Sequence, residues 1–376
     1  MLRWLWRAAW LLVPAAFVVH HLLHREAAAF VIACLSLVPL ARSMGDATEE
    51  LAERLGPAAG GLLNATFGNA AELIVGLFAV AHGHLELVKG SITGSLMGNL
   101  LLVGGGAMFA GSLRQKTARF NRTGAAASVS LLFLALVAMA TPTMIKSLHE
   151  RQGDFSVRGL SIAIAGLLLV MYALSLLFHL RTHAALLTAP AQSPREELRA
   201  DAGSLHRLPR REPRPEPKVA KENETPLWKP LALLASAGVA TAFSSEVLVG
   251  SLEGALAVLH LPEAFVGVVI VAIAGNAAEH STAVTLAYKG QLDVGLNIAW
   301  ESSKQIILFV APVLVLFAAA IGVPLDLAFR PFEVSAVAVA VIATALVALD
   351  GETNWLEGLF LIFVYAVLAL GLFFVQ

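Results

Sequence analysis

Charge is scarce in this chain. Of its 376 residues only 14% are Asp, Glu, Lys or Arg, while 57% are hydrophobic, and the mean hydropathy is +0.75. A soluble domain carries about 25% charged residues, so the shortage excludes an ordinary soluble protein and leaves a membrane composition. There is one cysteine, Cys34, inside an apolar run, so no intrachain disulfide can form and the redox compartment is not legible. Nor is either sign in excess: a net charge of -1 excludes the basic face of a nucleic-acid binder. His-Glu-x-x-His zinc motifs, Gly-x-Ser-x-Gly elbows and Gly-x-x-x-x-Gly-Lys-Ser/Thr phosphate loops are absent. Nothing therefore nominates hydrolysis, ATP use or a resident cofactor, and the chain is not expected to be an enzyme.

What it has in abundance is long apolar sequence. Eleven runs reach the length of about 17 to 25 residues that a helix needs to span the hydrocarbon core. They lie at roughly 5–22, 27–44, 59–81, 91–112, 123–141, 159–180, 230–250, 264–287, 294–317, 332–349 and 356–375. The fold class expected is an all-α integral membrane protein of eleven transmembrane helices. The first run follows Arg3 and Arg7 and also fits a secretory signal peptide. Arg42 to Arg54 reads as a short polar link, and the dense Gly and Ala of 104–111 fit close helix packing. Arg181 to Lys229 is the one long polar segment, with ten basic and seven acidic residues and many prolines, and reads as a flexible cytosolic linker. Links with even numbers, counting the N-terminus as zero, carry 19 of the 26 Lys and Arg. The positive-inside rule then places the N-terminus and the linker in the cytoplasm, in what would be a prokaryotic inner membrane.

Two of the runs share a pentapeptide. Gly68-Asn69-Ala70-Ala71-Glu72 recurs as Gly275-Asn276-Ala277-Ala278-Glu279, at an offset of 207 residues. A carboxylate amid lipid costs several kcal/mol unless it faces a water- or cation-filled cavity. The copies fall in runs three and eight, five crossings apart, so the two helices traverse the membrane in opposite directions, as in the inverted repeats of secondary transporters. The domain plan is then a peripheral first helix (1–26), a five-helix repeat (27–180), the linker (181–229) and a second five-helix repeat (230–376).

Asn and Glu three positions apart share a helix face, so Asn69 with Glu72 and Asn276 with Glu279 can point together into the bundle. Gly68 and Gly275 should weaken their helices there and free backbone carbonyls. Polar residues on the following helices, Ser95 and Asn99 in one half and Ser302 and Gln305 in the other, complete a set of hard oxygen and amide groups. Such a set suits Ca²⁺, which takes about six to eight oxygens, better than Zn²⁺ or Cu²⁺. Two ionised glutamates match one divalent cation. Without it they are like charges in a poorly solvated place, and the empty site should take up protons instead. Cation and proton then compete for the same oxygens, the minimum that antiport requires.

At these residues the chain resembles the Ca²⁺/H⁺ antiporter family, the CAX-type branch of the cation/Ca²⁺ exchanger superfamily. The similar stretches are Gly68 to Ile74, Gly275 to His280, Ser302 to Pro312 and the ending Asp350-Gly-Glu-Thr-Asn-Trp-Leu-Glu-Gly-Leu. The resemblance implies export of cytosolic Ca²⁺ driven by inward proton flow, with Ca²⁺ and H⁺ as cargo rather than cofactors. Glu72 and Glu279 would be the shared carboxylates, Asn69, Asn276, Ser302 and Gln305 their neighbours, and Glu49 and Glu246 acidic residues on the cytosolic approach. Coupling to Na⁺, or transport of Na⁺, K⁺ or Mn²⁺, stays open, as does the oligomeric state. Two features depart from the family pattern: the central segment is not acidic, and Lys304 stands where a small neutral residue is expected. Lys304 reads either as an ion pair with Glu301 or as a fixed cation near the ion pathway.

Overall fold

The structure is a computed structural model and describes residues 9–113, 117–149, 157–182 and 226–374. Arg3, Arg7, Arg114, Lys116 and nearly all of the 181–229 segment lie outside the described residues. In lipid every backbone N–H and C=O must be satisfied within its own segment, so apolar runs of this length become helices. Among the described residues nine helices are long and apolar enough to cross a membrane: Glu26–Gly56, Leu85–Ser112, Arg122–Leu148, Val157–Thr182, Trp228–Gly250, Glu263–Tyr288, Leu292–Ala320, Pro331–Ala348 and Trp355–Phe374. The first and third predicted runs hold shorter apolar helices, Leu12–His21 and Ala70–Ala81. Phe360, Phe363, Val367 and Leu370 are exposed along Trp355–Phe374, and Leu167, Val170 and Leu174 along Val157–Thr182. Apolar surface on that scale calls for lipid, and the chain is a multi-pass integral membrane protein.

Two local expectations change. Arg42 to Arg54 is not a link: it continues the helix that begins at Glu26, and the chain reverses only at Gly56, whose φ of 84° a side chain would oppose. Salt bridges one turn apart, Arg42 with Asp46 and Arg54 with Glu50, support those polar turns as helix. The helix break expected at both pentapeptides occurs at one. Asn69 has φ -109° and ψ 32°, between helices ending at Phe67 and starting at Ala70. Gly275, by contrast, lies inside the continuous helix Ala272–Tyr288. Upstream of that pentapeptide the helix carries a π-helical stretch, Val266–Val271.

The links sort into two faces. On one face the strand Ala118–Arg119 pairs antiparallel with Glu352–Thr353, reinforced by an Arg119–Glu352 salt bridge of 2.9 Å, and Asn121 N–H donates to Asp293 at 2.6 Å. This two-stranded sheet is a small addition to the all-helical expectation. On the other face Lys89 meets Asp326 at 2.5 Å, Arg330 meets Glu86 at 2.8 Å, and His84 meets Glu263 at 3.3 Å. Even-numbered links thus touch even ones and odd touch odd. Helix Ala70–Ala81 runs toward the His84–Glu263 face, and Glu263–Tyr288 starts there, so the pentapeptide helices are antiparallel.

The halves meet through small residues. A Cβ on Gly94 would lie 2.0 Å from the Val268 carbonyl oxygen, and one on Gly90 or Gly267 2.7 Å from a facing backbone carbonyl oxygen. The Gly-rich stretch near 104–111 does what its composition suggested: a Cβ on Gly105 would meet the Gly358 carbonyl at 2.7 Å. Helices Glu26–Phe67 and Trp228–Gly250 also pack antiparallel, with Ser36 donating to Ser244 at 2.8 Å and Thr241 beside Met44.

A candidate cation site between the two halves

The break at Asn69 starts a helix whose first turn carries Glu72, while Glu279 lies two turns into Ala272–Tyr288. Both line one cavity of about 540 Å³, and their charges are close enough to interact. Its other walls include Gly68, Gly275, Ser302 and Gln305, and toward one end Arg42, Asp46 and Glu49. That end lies on the face of the Gly56 and Gly290 turns, since Leu286 and Val294 flank it. In the opposite direction from Glu72, between Val75, Ala79, Leu87 and Val88, only about 10 Å³ of free space remains. The cavity therefore reaches one face, and toward the other the described residues leave little space.

An amide and hydroxyl network surrounds the carboxylates. Asn69 donates to Gln305 Oε1 at 2.6 Å and accepts from the Ser302 hydroxyl at 3.0 Å. Asn99 donates to Ser302 Oγ at 2.9 Å, and its carbonyl oxygen is 3.0 Å from His280 Nε2. In the other half Asn276 donates to Ser95 Oγ at 3.0 Å and to the Ala272 carbonyl at 2.9 Å. Ser95 and Ser302 are themselves 207 residues apart, so equivalent Asn–Ser pairs meet in both halves, with the serine donating to Asn69 and the asparagine donating in the Asn276–Ser95 pair. Each ties the pentapeptide of one half to a helix of the other. The glycines serve close approach: a Cβ on Gly275 would stand 3.1 Å from Glu72 Oε1, and one on Gly68 3.1 Å from Gln305 Oε1.

Among the predicted pocket residues two buried oxygens have no hydrogen-bond partner, Asn276 Oδ1 and Glu279 Oε2. Unpaired buried acceptors are rare and costly, and oxygens of this kind fit a hard cation. Among the described residues no group of three or more His, Cys, Asp and Glu side chains forms a metal centre. The donor set is two carboxylates with amides and hydroxyls, unlike a zinc or copper site.

Of the ten predicted pocket residues, Gly68, Glu72, Gly275, Glu279, Ser302 and Gln305 line the cavity, and Asn69, Asn276, Ser95 and Asn99 stand in the hydrogen-bond network beside it. Of the two residues assigned to the approach, Glu49 lines the cavity, but Glu246 does not and is exposed on its own helix. Because Glu26–Phe67 and Trp228–Gly250 are antiparallel, residues near the ends of the two helices point to opposite faces. Glu246 lies toward the end where Gly250 approaches His20, away from the cavity mouth. Sequence reasoning assigned no role to His280, whose spacing of four from Asn276 puts it on the same helix face. Lys304 takes the ion-pair reading, bonded to Glu301 and to Ser128 at 3.2 Å.

Ser302 is the hub of the network. Ser302→Ala would strand the Asn69 carbonyl oxygen and an Asn99 N–H, and should cost about 2 kcal/mol of stability. Ser303→Ala, whose hydroxyl bonds only the Ala299 carbonyl of its own helix, should cost under about 1 kcal/mol. Thermal unfolding of the two purified variants compares them directly, and equal losses would remove Ser302 from its central position.

A helical membrane protein whose two halves enclose a cavity with paired carboxylates fits the structural class of cation exchangers. The profile of the sodium/calcium exchanger protein family matches residues 26–181 and 229–374, and the chain belongs to that family. It is 45% identical to a Ca²⁺/H⁺ antiporter of Synechocystis, over 96% of this chain and 95% of that protein. It is 37% identical to the Ca²⁺/H⁺ antiporter ChaA of Bacillus subtilis, over 95% of each. Among solved structures it superposes on native YfkE with a TM-score of 0.77 at 33% identity, covering 96% of this chain and 97% of that one. A structure of the H⁺/Ca²⁺ exchanger CAX, at 15% identity and a TM-score of 0.67, shares the fold, covering 99% of this chain and 92% of that one.

Proposed function

We propose that the protein is a secondary active antiporter, not an enzyme, that exports cytosolic Ca²⁺ in exchange for H⁺ by alternating access. The observation that carries this reading is the pair Glu72 and Glu279, borne on antiparallel helices and sharing one cavity that reaches one face. The pair would sit at the bilayer midplane and hold either one divalent cation or protons. Asn69, Asn276, Ser302, Gln305, Ser95 and Asn99 would serve as ligands or as the scaffold that positions them. The Ca²⁺/H⁺ antiporter names of relatives that match along nearly the whole chain favour this cargo and this coupling. Reorientation would occur when the carboxylates are neutralised by either load, because two bare charges are costly to carry through a shut, dry intermediate.

In this reading the even-numbered face is cytosolic, as the Lys and Arg distribution implies, so the described conformation faces the cytosol. The membrane would be the inner membrane of a prokaryote, the first helix peripheral, and residues 27–180 and 230–376 the two repeats.

Inside-out vesicles carrying the purified protein and an imposed proton gradient test the proposal. Radiolabelled Ca²⁺ should accumulate, a protonophore should abolish the accumulation, and each Ca²⁺ addition should alkalinise the lumen. Uptake that requires Na⁺ and ignores the protonophore would transfer the coupling to sodium.

A further inference from the structure

Besides Glu72 and Glu279, and Asp46 and Glu49 toward its mouth, the cavity wall carries one more carboxylate, on the residue next to Ser302. Glu301 lines it with its side chain 42% exposed, whereas the side chain of Lys304, one turn further along the helix, is 3% exposed. The buried ammonium donates to Glu301 Oε1 and, from the same nitrogen, to Ser128 Oγ on helix Arg122–His149 at 3.2 Å. His179, on helix Val157–Thr182, stands with Nε2 3.7 Å from Glu301 Oε1. Its Nδ1 is 2.6 Å from the Ser175 carbonyl oxygen. Glu301 is thus gripped from the side away from the cavity.

The charge count gives the grip a purpose. A divalent cation is matched by Glu72 and Glu279, and a further free carboxylate next to Ser302, deeper than the Arg42, Asp46 and Glu49 of the mouth, would leave the loaded site negative. The ion would then bind more tightly and leave more slowly, and a transporter must release its cargo at every cycle. A buried ammonium cannot stand alone either, since an unpaired charge away from water is expensive.

We propose, on the basis of the antiport reading above, that Lys304 is a built-in counter-cation. It cancels the charge of Glu301 and holds that carboxylate back from the transported ion, so that Glu301 adds nothing to the affinity that Glu72 and Glu279 give the site for a divalent cation. Lys304 and Glu301 are positioning residues and touch the cargo in no step. Ser128 ties the pair to helix Arg122–His149, and His179 stands beside it on helix Val157–Thr182.

A double-mutant cycle on proton-driven Ca²⁺ uptake in vesicles tests this, with KM as the readout and thermal unfolding as the check on folding. Lys304→Met frees a carboxylate and should lower KM about fivefold while slowing the maximal rate, the scale of one charge acting through a water-filled cavity. Glu301→Gln leaves an unmatched cation and should raise KM by about the same factor. The double variant should return to within about twofold of wild type, because the site again contains only the original pair of charges. Shifts of both single variants in the same direction, or an unmoved KM with only the unfolding temperature lowered, would overturn the inference and leave a structural salt bridge. If Lys304→Met alone does not fold, comparing Glu301→Gln with the double variant carries the same test. A wild-type protein without proton-driven uptake would overturn the antiport reading itself. Wild-type transport with KM unmoved in every variant would overturn only the role given to Lys304.

Discussion

Glu72→Gln should reduce Ca²⁺/H⁺ exchange by roughly 100-fold or more, because removing one partner of a buried charge contact costs about 3 kcal/mol or more and each 1.4 kcal/mol is a factor of ten. The amide keeps the size of the carboxyl, so the cavity and the contact with Gly275 remain. It can neither carry the negative charge that a divalent cation needs nor bind the proton that would replace it. Glu279→Gln should do the same from the other half. Neither change should destabilise the protein, since each removes a charge from a poorly solvated place, and unfolding temperatures in the absence of Ca²⁺ should be equal to or above that of wild type. Vesicle uptake above a tenth of the wild-type rate in either variant would take that glutamate out of the ion-carrying role. Lost uptake together with a collapsed unfolding temperature would make the residue a structural one.

The second large effect lies away from the ion site. Gly94→Ala adds a single carbon, but it would sit 2.0 Å from the Val268 carbonyl oxygen and 2.5 Å from the Val268 Cα. Both partners are backbone, so no side chain can swing aside. Overfilling a packed interior costs about 1–3 kcal/mol, and here the halves must separate locally, which puts the expected cost at about 3 kcal/mol or more. Gly238→Ala is the control: nothing lies within 4 Å of its added carbon, and alanine's helix preference should make it neutral or stabilising by about 0.5–1 kcal/mol. Thermal unfolding in detergent, followed by size-exclusion chromatography, separates the two. Equal behaviour would mean that the contact between the 85–112 and 263–288 helices is not as tight as the backbone geometry requires.

Much of the architecture was legible in one dimension. Apolar length announced the helices, because a bilayer permits few alternatives to an internally hydrogen-bonded segment. The repeated pentapeptide announced the paired glutamates, and an odd number of intervening crossings gave their opposed directions. Polar residues inside apolar runs, Ser95, Asn99, Ser302 and Gln305, marked the surroundings of the carboxylates because lipid penalises them elsewhere. Other features depended on neighbours that no linear pattern encodes. Arg42 to Arg54 has the composition of a link yet is helix, since pairing one turn apart and packing on the facing helix outweigh its polarity. Glu246 matched Glu49 in its local sequence and still falls outside the cavity, because inversion sends equivalent positions to opposite faces. The two copies of Gly-Asn also differ: one chain breaks at Asn69, and the other continues through Asn276.

Composition and repetition by themselves determined that the chain is a helical membrane protein built from two inverted halves with a carboxylate in each. They could do so because hydrocarbon solvent acts on every residue independently of its distant partners. Only the tertiary structure decided that the two carboxylates share one cavity, which face that cavity opens to, and that Lys304 is matched by Glu301. Those outcomes depend on distances between residues some 200 positions apart. Such distances are fixed when small residues such as Gly94 and Gly275 let the helices close on one another.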